Sequence, residues 1–267
     1  IPKLALRNLL GAGLRTWLNV IVLSFAFVAI IWTQGLYEGM NDQARRASVD
    51  AALGGGQYWQ ASYDPLDILA LEDAHAVVPG PLQAVIDARR ATPILAVQGT
   101  LYPKGRLHPV VIKGVDPDQG VLSVPTRFLK AGEDRLPALI GTRMAKSTGL
   151  GVGDTVTLRW RDAKGTFDAR DLEIVQVMKT VVQSIDQGQV WIPLNTLRRL
   201  AGMEGEASLI VLAQGTVERP AAPGWVFRDL DFLLSDIKQL VQMKSVGATI
   251  LYTVLILLAM LAIFDTQ

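Results

Sequence analysis

The sequence predicts a membrane protein of the α+β class, in which two transmembrane α-helices with stalk extensions flank a mixed α+β domain. Two long apolar runs lie towards the ends of the chain, at 16–36 and 246–264. Helical spacing of apolar residues continues inward from both runs. Between them, short β-prone runs alternate irregularly with helical stretches and turns. The mean hydropathy of +0.29 is also high for a soluble protein.

Composition excludes several classes of function. The formal net charge is +1, with both signs scattered along the chain, so no strong field would recruit nucleic acid. The sequence contains no cysteine. Disulfides, thiolate metal sites, cysteine nucleophiles and a lipidated cysteine are therefore excluded in these residues.

The N-terminal part predicts a surface helix followed by the first span. Leucines recur at helical spacing in 1–15, which predicts an amphipathic helix on the cytoplasmic membrane surface. A plain extension of the spanning helix is the alternative. Residues 16–36 are long enough to cross about 30 Å of bilayer core, with Trp17 and Trp32 near the two interfaces. A cleaved signal peptide is the rival interpretation, but the run is long for one and no small-x-small site follows it.

The second span is predicted at 246–264, because this run carries no charge before Asp265. A buried helix of a soluble core is the alternative. Apolar residues at a spacing of three and four predict stalk helices at 37–51 and 229–245. The apolar faces of these predicted stalk helices could transmit movement of the spans, or they could simply pack onto the domain. The sequence leaves both possibilities open.

Orientation follows from the basic residues before the first span. Lys3, Arg7 and Arg15 favour a cytoplasmic N-terminus, and long domains cross the membrane with little regard to charge. The domain at 52–228 is therefore expected outside the cytoplasm. Because Ile1 is not an initiator methionine, we expect the native chain to begin earlier.

Within the central domain, short β-prone runs and helical stretches can be located. The predicted strands are 94–97, 110–115, 155–160, 172–177, 190–192 and 208–212. The predicted helices are 81–90, 142–148 and 194–200. Gly151, Gly153 and Asp154 predict a tight turn that leads into a strand.

No catalytic, cofactor-binding or metal-binding residue is predicted. Glycines 149, 151 and 153 match neither the dinucleotide fingerprint nor the Walker A pattern. His75 and His108 are isolated in sequence and lack the spacing of metal ligands. The adjacent carboxylates Glu72–Asp73 and Glu133–Asp134 are expected to be solvated loop residues, because sequence neighbours point to different faces.

Several motifs together resemble one family. Residues 4–10, Leu-Ala-Leu-Arg-Asn-Leu-Leu, followed by Leu14-Arg15-Thr16, are similar to the start of MacB/FtsX/LolC-type ABC transporter permeases. Gly114-Val115-Asp116-Pro117 resembles the family's G-x-D-P segment. Leu139-Ile140-Gly141 with Met144-Ala145, Leu150 to Asp154, and Gln189 to Leu194 resemble later family segments in the same order.

The resemblance implies a periplasmic region with porter-like and Sabre-like subdomains, the latter at about 110–200. It also implies four spans, so we expect this chain to be truncated after its second one. The expected location is the bacterial inner membrane, as a multi-pass protein whose central domain is periplasmic. The expected partners are cytoplasmic ABC ATPase subunits, a second permease subunit that is either identical or a paralogue, and membrane lipid. ATP and Mg would be bound by the ATPase, with no cofactor in this chain.

The resemblance implies a non-enzymatic permease subunit that transmits ATPase motion to the periplasmic domain. Release of lipoprotein, with a lipoprotein cargo or a periplasmic carrier as a further partner, is the preferred expectation. MacB-like drug or peptide efflux and an FtsX-like regulator are the alternatives within the family. A two-span membrane receptor or sensor is the alternative outside it.

Overall fold

The computed structural model describes residues 13–67, 69–130, 135–235, 252–254, 256–257 and 260. The chain divides into two compact units, Arg46–Leu233 and the residues before and after it. Most of the predicted amphipathic helix at 1–15 lies outside the described residues. So do the later part of the predicted stalk at 229–245 and most of the predicted second span at 246–264. The described positions of that span, 252–254, 256–257 and 260, are helical.

The first element is a long apolar helix, α1 (Leu14–Ser48), which has 35 residues and so a length of about 52 Å. Its large apolar side chains are exposed, among them Phe25, Ile31 and Trp32. Among the described residues, Val20–Leu53 is the one helical stretch long and apolar enough to cross a membrane. One unbroken helix thus covers the predicted span at 16–36 and most of the predicted stalk at 37–51. A π-helical turn, Val49–Leu53, follows directly.

The unit Arg46–Leu233 contains eleven described strands and five short α-helices. The strands are β1 (Gln57–Gln60), β2 (Ala76–Val77), β3 (Ala91–Leu101), β4 (His108–Val115), β5 (Leu136–Gly141), β6 (Thr155–Arg161), β7 (Phe167–Met178), β8 (Gln189–Pro193), β9 (Glu206–Ala207), β10 (Leu209–Leu212) and β11 (Trp225–Arg228). The helices are α2 (Gly80–Asp87), α3 (Thr142–Thr148), α4 (Gln183–Gly188), α5 (Leu194–Ala201) and α6 (Leu230–Leu233).

Nine of these strands form one sheet. One part of it is an open sheet, and the other part closes into a barrel. The open part is antiparallel, in the order β11-β1-β10-β3. The remaining strands continue in the order β3-β4-β8-β5-β7-β6, and β6 pairs back onto β3 to close a six-stranded barrel. The β4–β8 and β5–β7 pairs are parallel. The domain therefore consists of a small open sheet joined to a closed barrel.

Strand β3 belongs to both parts. Its first half, Ala91–Ile94, pairs with β10, and its second half, Leu95–Leu101, pairs with β4. At the point where β3 leaves β10, the buried Ser208 hydroxyl accepts a hydrogen bond from the Ala96 amide at 3.1 Å. That contact keeps a buried backbone donor satisfied where the ladder ends.

The barrel interior is filled by alternating side chains. On β6, Val156, Leu158 and Trp160 are buried, whereas the side chains between them are more exposed. This period-two pattern is the one expected when one face of a strand lines a core. Met203 and Leu197 lie in the same interior cluster.

The local predictions in this domain are largely confirmed. All six predicted strands and all three predicted helices correspond to observed elements, and the helix predicted at 142–148 has the bounds of α3. The predicted Sabre-like range of 110–200 holds β5 to β8 and most of β4. The sixth barrel strand is β3, which lies before that range, because the barrel closes through the distant β3–β6 pairing.

Candidate functional site

The structure shows the contacts of the residues that were weighed above as possible metal ligands or catalytic groups. His75 Nδ1 pairs with the Glu206 carboxylate, and its Nε2 lies 3.1 Å from the Glu72 carbonyl oxygen. His108 begins β4, opposite Leu101. Among the described residues, no three His, Cys, Asp or Glu side chains form a group that could hold a metal ion. Glu133 and Asp134 lie outside the described residues.

The glycine-rich segment at 149–153 is a turn, as predicted. Gly149 adopts a left-handed conformation that ends α3, and its amide donates to the Ala145 carbonyl at 2.8 Å. The Asp154 carboxylate accepts the Gly151 amide at 2.7 Å. These contacts shape the start of β6.

The described residues instead bring together a cluster of contacts where the chain passes from the helix into the domain. We call it the helix–domain joint and define it as Val49–Gln57, Trp59, Arg228 and Phe232. It lies entirely within the unit Arg46–Leu233. Ala51 is buried in the same hydrophobic cluster as Trp191, Leu209 and Val211. The end of the helical segment is thus part of the domain core.

Three successive glycines allow the chain to turn against the sheet. Gly54 has a φ of 57°, and a Cβ atom there would lie 2.2 Å from the Leu212 carbonyl oxygen. A Cβ at Gly55 would lie 2.5 Å from the Ala213 oxygen, and Gly56 has a φ of 122°. The Gly55 amide donates to the Leu212 carbonyl at 2.7 Å. This close backbone approach requires glycine and fixes the path of the chain.

Polar contacts hold the π-helical turn in place. The Asp50 carboxylate accepts a hydrogen bond from Gln214 Nε2 at 2.8 Å, and the Asp50 carbonyl accepts the Ser123 amide at 2.8 Å. The buried Gln57 side chain donates to the Ala52 carbonyl at 2.8 Å and accepts from Trp59 Nε1 at 2.7 Å. Gln57 therefore links the helical turn to strand β1 through both ends of its amide.

The point where the chain leaves the domain lies beside the point where it arrives. Strand β11 pairs antiparallel with β1, and Gln57 is opposite Arg228. The Arg228 guanidinium lies 5.5 Å from the Trp59 ring centroid and 4.3 Å from that of Phe232. The Asp229 carboxylate accepts the Phe232 amide at 2.8 Å at the start of α6. One cluster therefore connects the incoming and outgoing segments.

A lysine lies on the barrel face that adjoins this core. Lys113 on β4 is opposite Trp191 on β8, and its Nζ lies 5.7 Å from the Trp191 ring centroid. The side chain is half-buried, and burial lowers the pKa of Lys113 to about 8. The Trp191 indole N–H is buried and has no hydrogen-bond partner in the described part of the chain.

Sequence reasoning missed the joint residues. The signal that could have revealed them is the glycine triplet 54–56, which directly follows the helical spacing of the stalk. Gln57 and Arg228 carried no such signal, because their roles depend on the pairing of two strands far apart in sequence.

Comparison with known proteins then identifies the family. A profile of the MacB-like periplasmic core domain matches residues 16–223. The chain belongs to this family. The MacB-like match covers nearly all of α1, the incoming part of the joint and strands β1 to β10, and it confirms the predicted resemblance to the MacB/FtsX group. A LolC-like subtype stays a prediction. No curated protein sequence matched the chain.

Two solved structures are similar to this MacB-like core. The extracellular domain of the noncanonic ABC-type transporter YknZ from Gram-positive bacteria shares 14% identity, with a TM-score of 0.34. That match covers 61% of this chain and 83% of the other. The periplasmic region of MacB from Actinobacillus actinomycetemcomitans shares 12% identity, with a TM-score of 0.44. It covers 69% of this chain and 92% of the other.

Proposed function

We propose that this chain is a permease subunit of an ABC transporter and that it transmits cytoplasmic ATPase motion to its periplasmic domain. The observation that carries the proposal is the helix–domain joint. An apolar helix long enough to cross a membrane continues into a turn whose buried residue belongs to the domain core. The family assignment supports the same function.

The joint is suited to carrying displacement because its contacts leave the chain little freedom. The glycine triplet packs against the backbone of residues 212–213, and Gln57 joins the turn to β1. Movement of the helical turn would therefore shift β1, and β1 is hydrogen-bonded to both β10 and β11. In this proposal the periplasmic domain responds as a whole to movement of the spans.

We propose release of lipoprotein from the inner membrane as the specific task. In this proposal the chain has no enzymatic activity, and partner ATPase subunits bind ATP and Mg and hydrolyse ATP. A second permease subunit, identical or a paralogue, completes the transporter. The chain crosses the inner membrane more than once, and a lipoprotein cargo or a periplasmic carrier docks outside.

Purification of the full-length protein from native membranes tests the class and the task together. Recovery of an ABC ATPase supports the permease, and recovery of lipid-modified protein supports lipoprotein release. A cell-wall hydrolase or its activator would identify an FtsX-like regulator, and a bound drug or peptide would identify MacB-like efflux. A kinase fused to or recovered with the chain, without an ATPase, would refute the permease in favour of a two-span receptor.

Transmission through the helix is tested by breaking α1 outside the domain. Gln43 is exposed on α1, and proline there removes a helical hydrogen bond at a cost of about 3 kcal/mol. In the assembled transporter, Gln43→Pro should leave most of the ATP hydrolysis intact and lower lipoprotein release at least tenfold. Gln43→Ala is the matched control and should retain release. Equal release by the two variants would contradict transmission through this helix.

A further inference from the structure

A cavity of about 500 Å³ lies beside the pairing of β3 with β6 in the barrel. The buried residues Leu71, Val97, Trp160 and Met203 contribute to its walls, and Gln98 and Thr100 lie along its β3 side. The cavity shares no residue with the helix–domain joint. Its size falls within the range of sites that hold small organic molecules.

The rim of this cavity carries two cations that lack acidic partners. The Arg159 guanidinium lies 4.1 Å from the centroid of the exposed Phe167 ring. Lys164 stands on the turn between β6 and β7. Neither side chain forms an ion pair in the described part of the chain. Both are therefore available to an anionic ligand.

Most of the carboxylates around the cavity are already engaged. The Glu72 carboxylate accepts two hydrogen bonds from Arg161 Nη1, at 2.9 and 3.1 Å. The Asp162 carboxylate accepts the backbone amides of Lys164 and Thr166 within its own turn. Asp73 is the remaining lining carboxylate. Among the described lining residues, Arg159 and Lys164 are the cations without an ion pair, and Asp73 and Asp162 are the carboxylates without one. The stacked Arg159–Phe167 pair, and not a net positive charge, therefore favours an anionic group at this site.

One wall of the cavity is a short segment that an exposed ion pair links to the barrel. Residues Leu69–Glu72 form a 3-10 turn that the Glu72–Arg161 ion pair ties to β6. Both side chains of this pair are close to half exposed. Exposed ion pairs contribute little stability, so the buried Leu71 side chain is the main anchor of this wall.

We propose that this cavity binds a small organic anion with an apolar body. The apolar part would lie against Leu71 and the Phe167 ring, and the acidic group would pair with Arg159 and Lys164. Arginine stacked on an aromatic ring offers both a flat surface and charge-assisted donors, which suits a carboxylate attached to a hydrophobic group. Aromatic acids and short fatty acids share this chemistry. The proposal goes beyond the proposed function and is independent of it.

Calorimetric titration of the full chain in lipid nanodiscs tests the site, with empty nanodiscs as the blank. The probes are 2-naphthoate, octanoate and the neutral 2-naphthamide. We expect saturable binding of at least one acid, with 2-naphthamide at least tenfold weaker than 2-naphthoate. Tighter binding of 2-naphthoate would indicate an aromatic acid, and tighter binding of octanoate would indicate a fatty acid.

Matched variants assign the binding to this cavity. Arg159→Gln and Lys164→Gln should each lower the affinity for the acid about tenfold, the effect of losing one charge-assisted contact. Arg170→Gln is the control, because Arg170 is exposed on β7 outside the cavity lining. Circular dichroism establishes that each variant is folded. Absence of saturable binding, or equal affinities of Lys164→Gln and Arg170→Gln, overturns the proposal.

Discussion

Gly54 is the most constrained residue of the helix–domain joint. It combines a positive φ with a space that has no room for a side chain, since a Cβ would lie 2.2 Å from the Leu212 oxygen. Gly54→Ala should therefore lower the free energy of unfolding by about 3 kcal/mol or more, which combines the backbone penalty of a positive φ with displacement of the strand. Urea unfolding followed by tryptophan fluorescence measures this change.

Gly215→Ala separates the two contributions to that loss. Gly215 also has a positive φ, of 80°, but no atom lies within 4 Å of the position that an alanine methyl group would take there. The cost should be limited to the backbone penalty, about 1 kcal/mol. If the two alanine variants lost equal stability, the close contact with Leu212 would not constrain the joint.

Lys113 gives the domain a specific pH dependence. Burial lowers the pKa of Lys113 from 10.5 to about 8 in the folded state. Between these two values the unfolded chain holds the proton that the folded chain has lost, so stability should rise as pH increases from about 8 to 10.5. Below pH 8 the folded state bears the full cost of the buried charge.

Replacement of this lysine should raise stability at neutral pH. Lys113→Met keeps the length of the side chain and removes the charge, so the free energy of unfolding at pH 7 should increase by about 1–3 kcal/mol. Its rise between pH 8 and 10.5 should also become flatter. Lys146→Met, at an exposed position on α3, is the control. A destabilised Lys113→Met at pH 7 would show that the amine makes a favourable contact.

At the scale of elements, Gln57 joins the end of the helical segment to strand β1. Gln57→Leu removes its bonds to the Ala52 carbonyl and to Trp59 Nε1, and it leaves both of those groups without their partner. We expect a loss of about 2 kcal/mol in the free energy of unfolding. Hydrogen exchange should also accelerate in 49–60 more than in the barrel strands.

A glutamine outside the joint provides the comparison for that variant. Gln83 on α2 is exposed and bonds Asp87 at 2.8 Å. Gln83→Leu should change stability by less than about 0.5 kcal/mol, as surface substitutions usually do. Uniform exchange rates across the Gln57→Leu domain would argue against a local role for Gln57.

Elements defined by local pattern could be predicted from the sequence, and elements defined by distant pairing could not. The spacing of apolar residues in α1 and the turn before β6 both depend on residues that are close together in the chain. Both features can therefore be located from the sequence. Strands β1 and β11 are four residues each, too short for a clear alternation. Their positions are set by pairing across more than 160 residues of chain.

At the scale of the whole molecule, the proposed topology can be tested with unique thiols. Residues 1–267 contain no cysteine, so each single-cysteine variant carries one reactive site within them. Val152 is 62% exposed at the turn before β6. In intact spheroplasts, Val152→Cys should react with a membrane-impermeant maleimide, whereas Lys3→Cys should react only after permeabilisation. The opposite pattern would place the domain in the cytoplasm and end the permease proposal.

The candidate site was harder to predict than the fold class. Mixed α+β content and an N-terminal apolar helix follow from composition and periodicity. The joint depends on which strands become neighbours, and the barrel closes only because β3 meets β6. The sequence motifs pointed to the family, but the family segments at 114–117 and 150–154 shape turns in the barrel and do not form the joint.

The pairing of β1 with β11 determines how this domain would yield to tension. The incoming chain reaches β1 at Gln57, and the outgoing chain leaves β11 at Arg228, directly opposite. Pulling these two ends apart would load the hydrogen bonds of that ladder one after another, as in the opening of a zipper. The barrel begins at β3, two strands from β1, so this ladder would open before the barrel is loaded. A strong pulling force would therefore separate β1 from β11 first and leave the barrel intact.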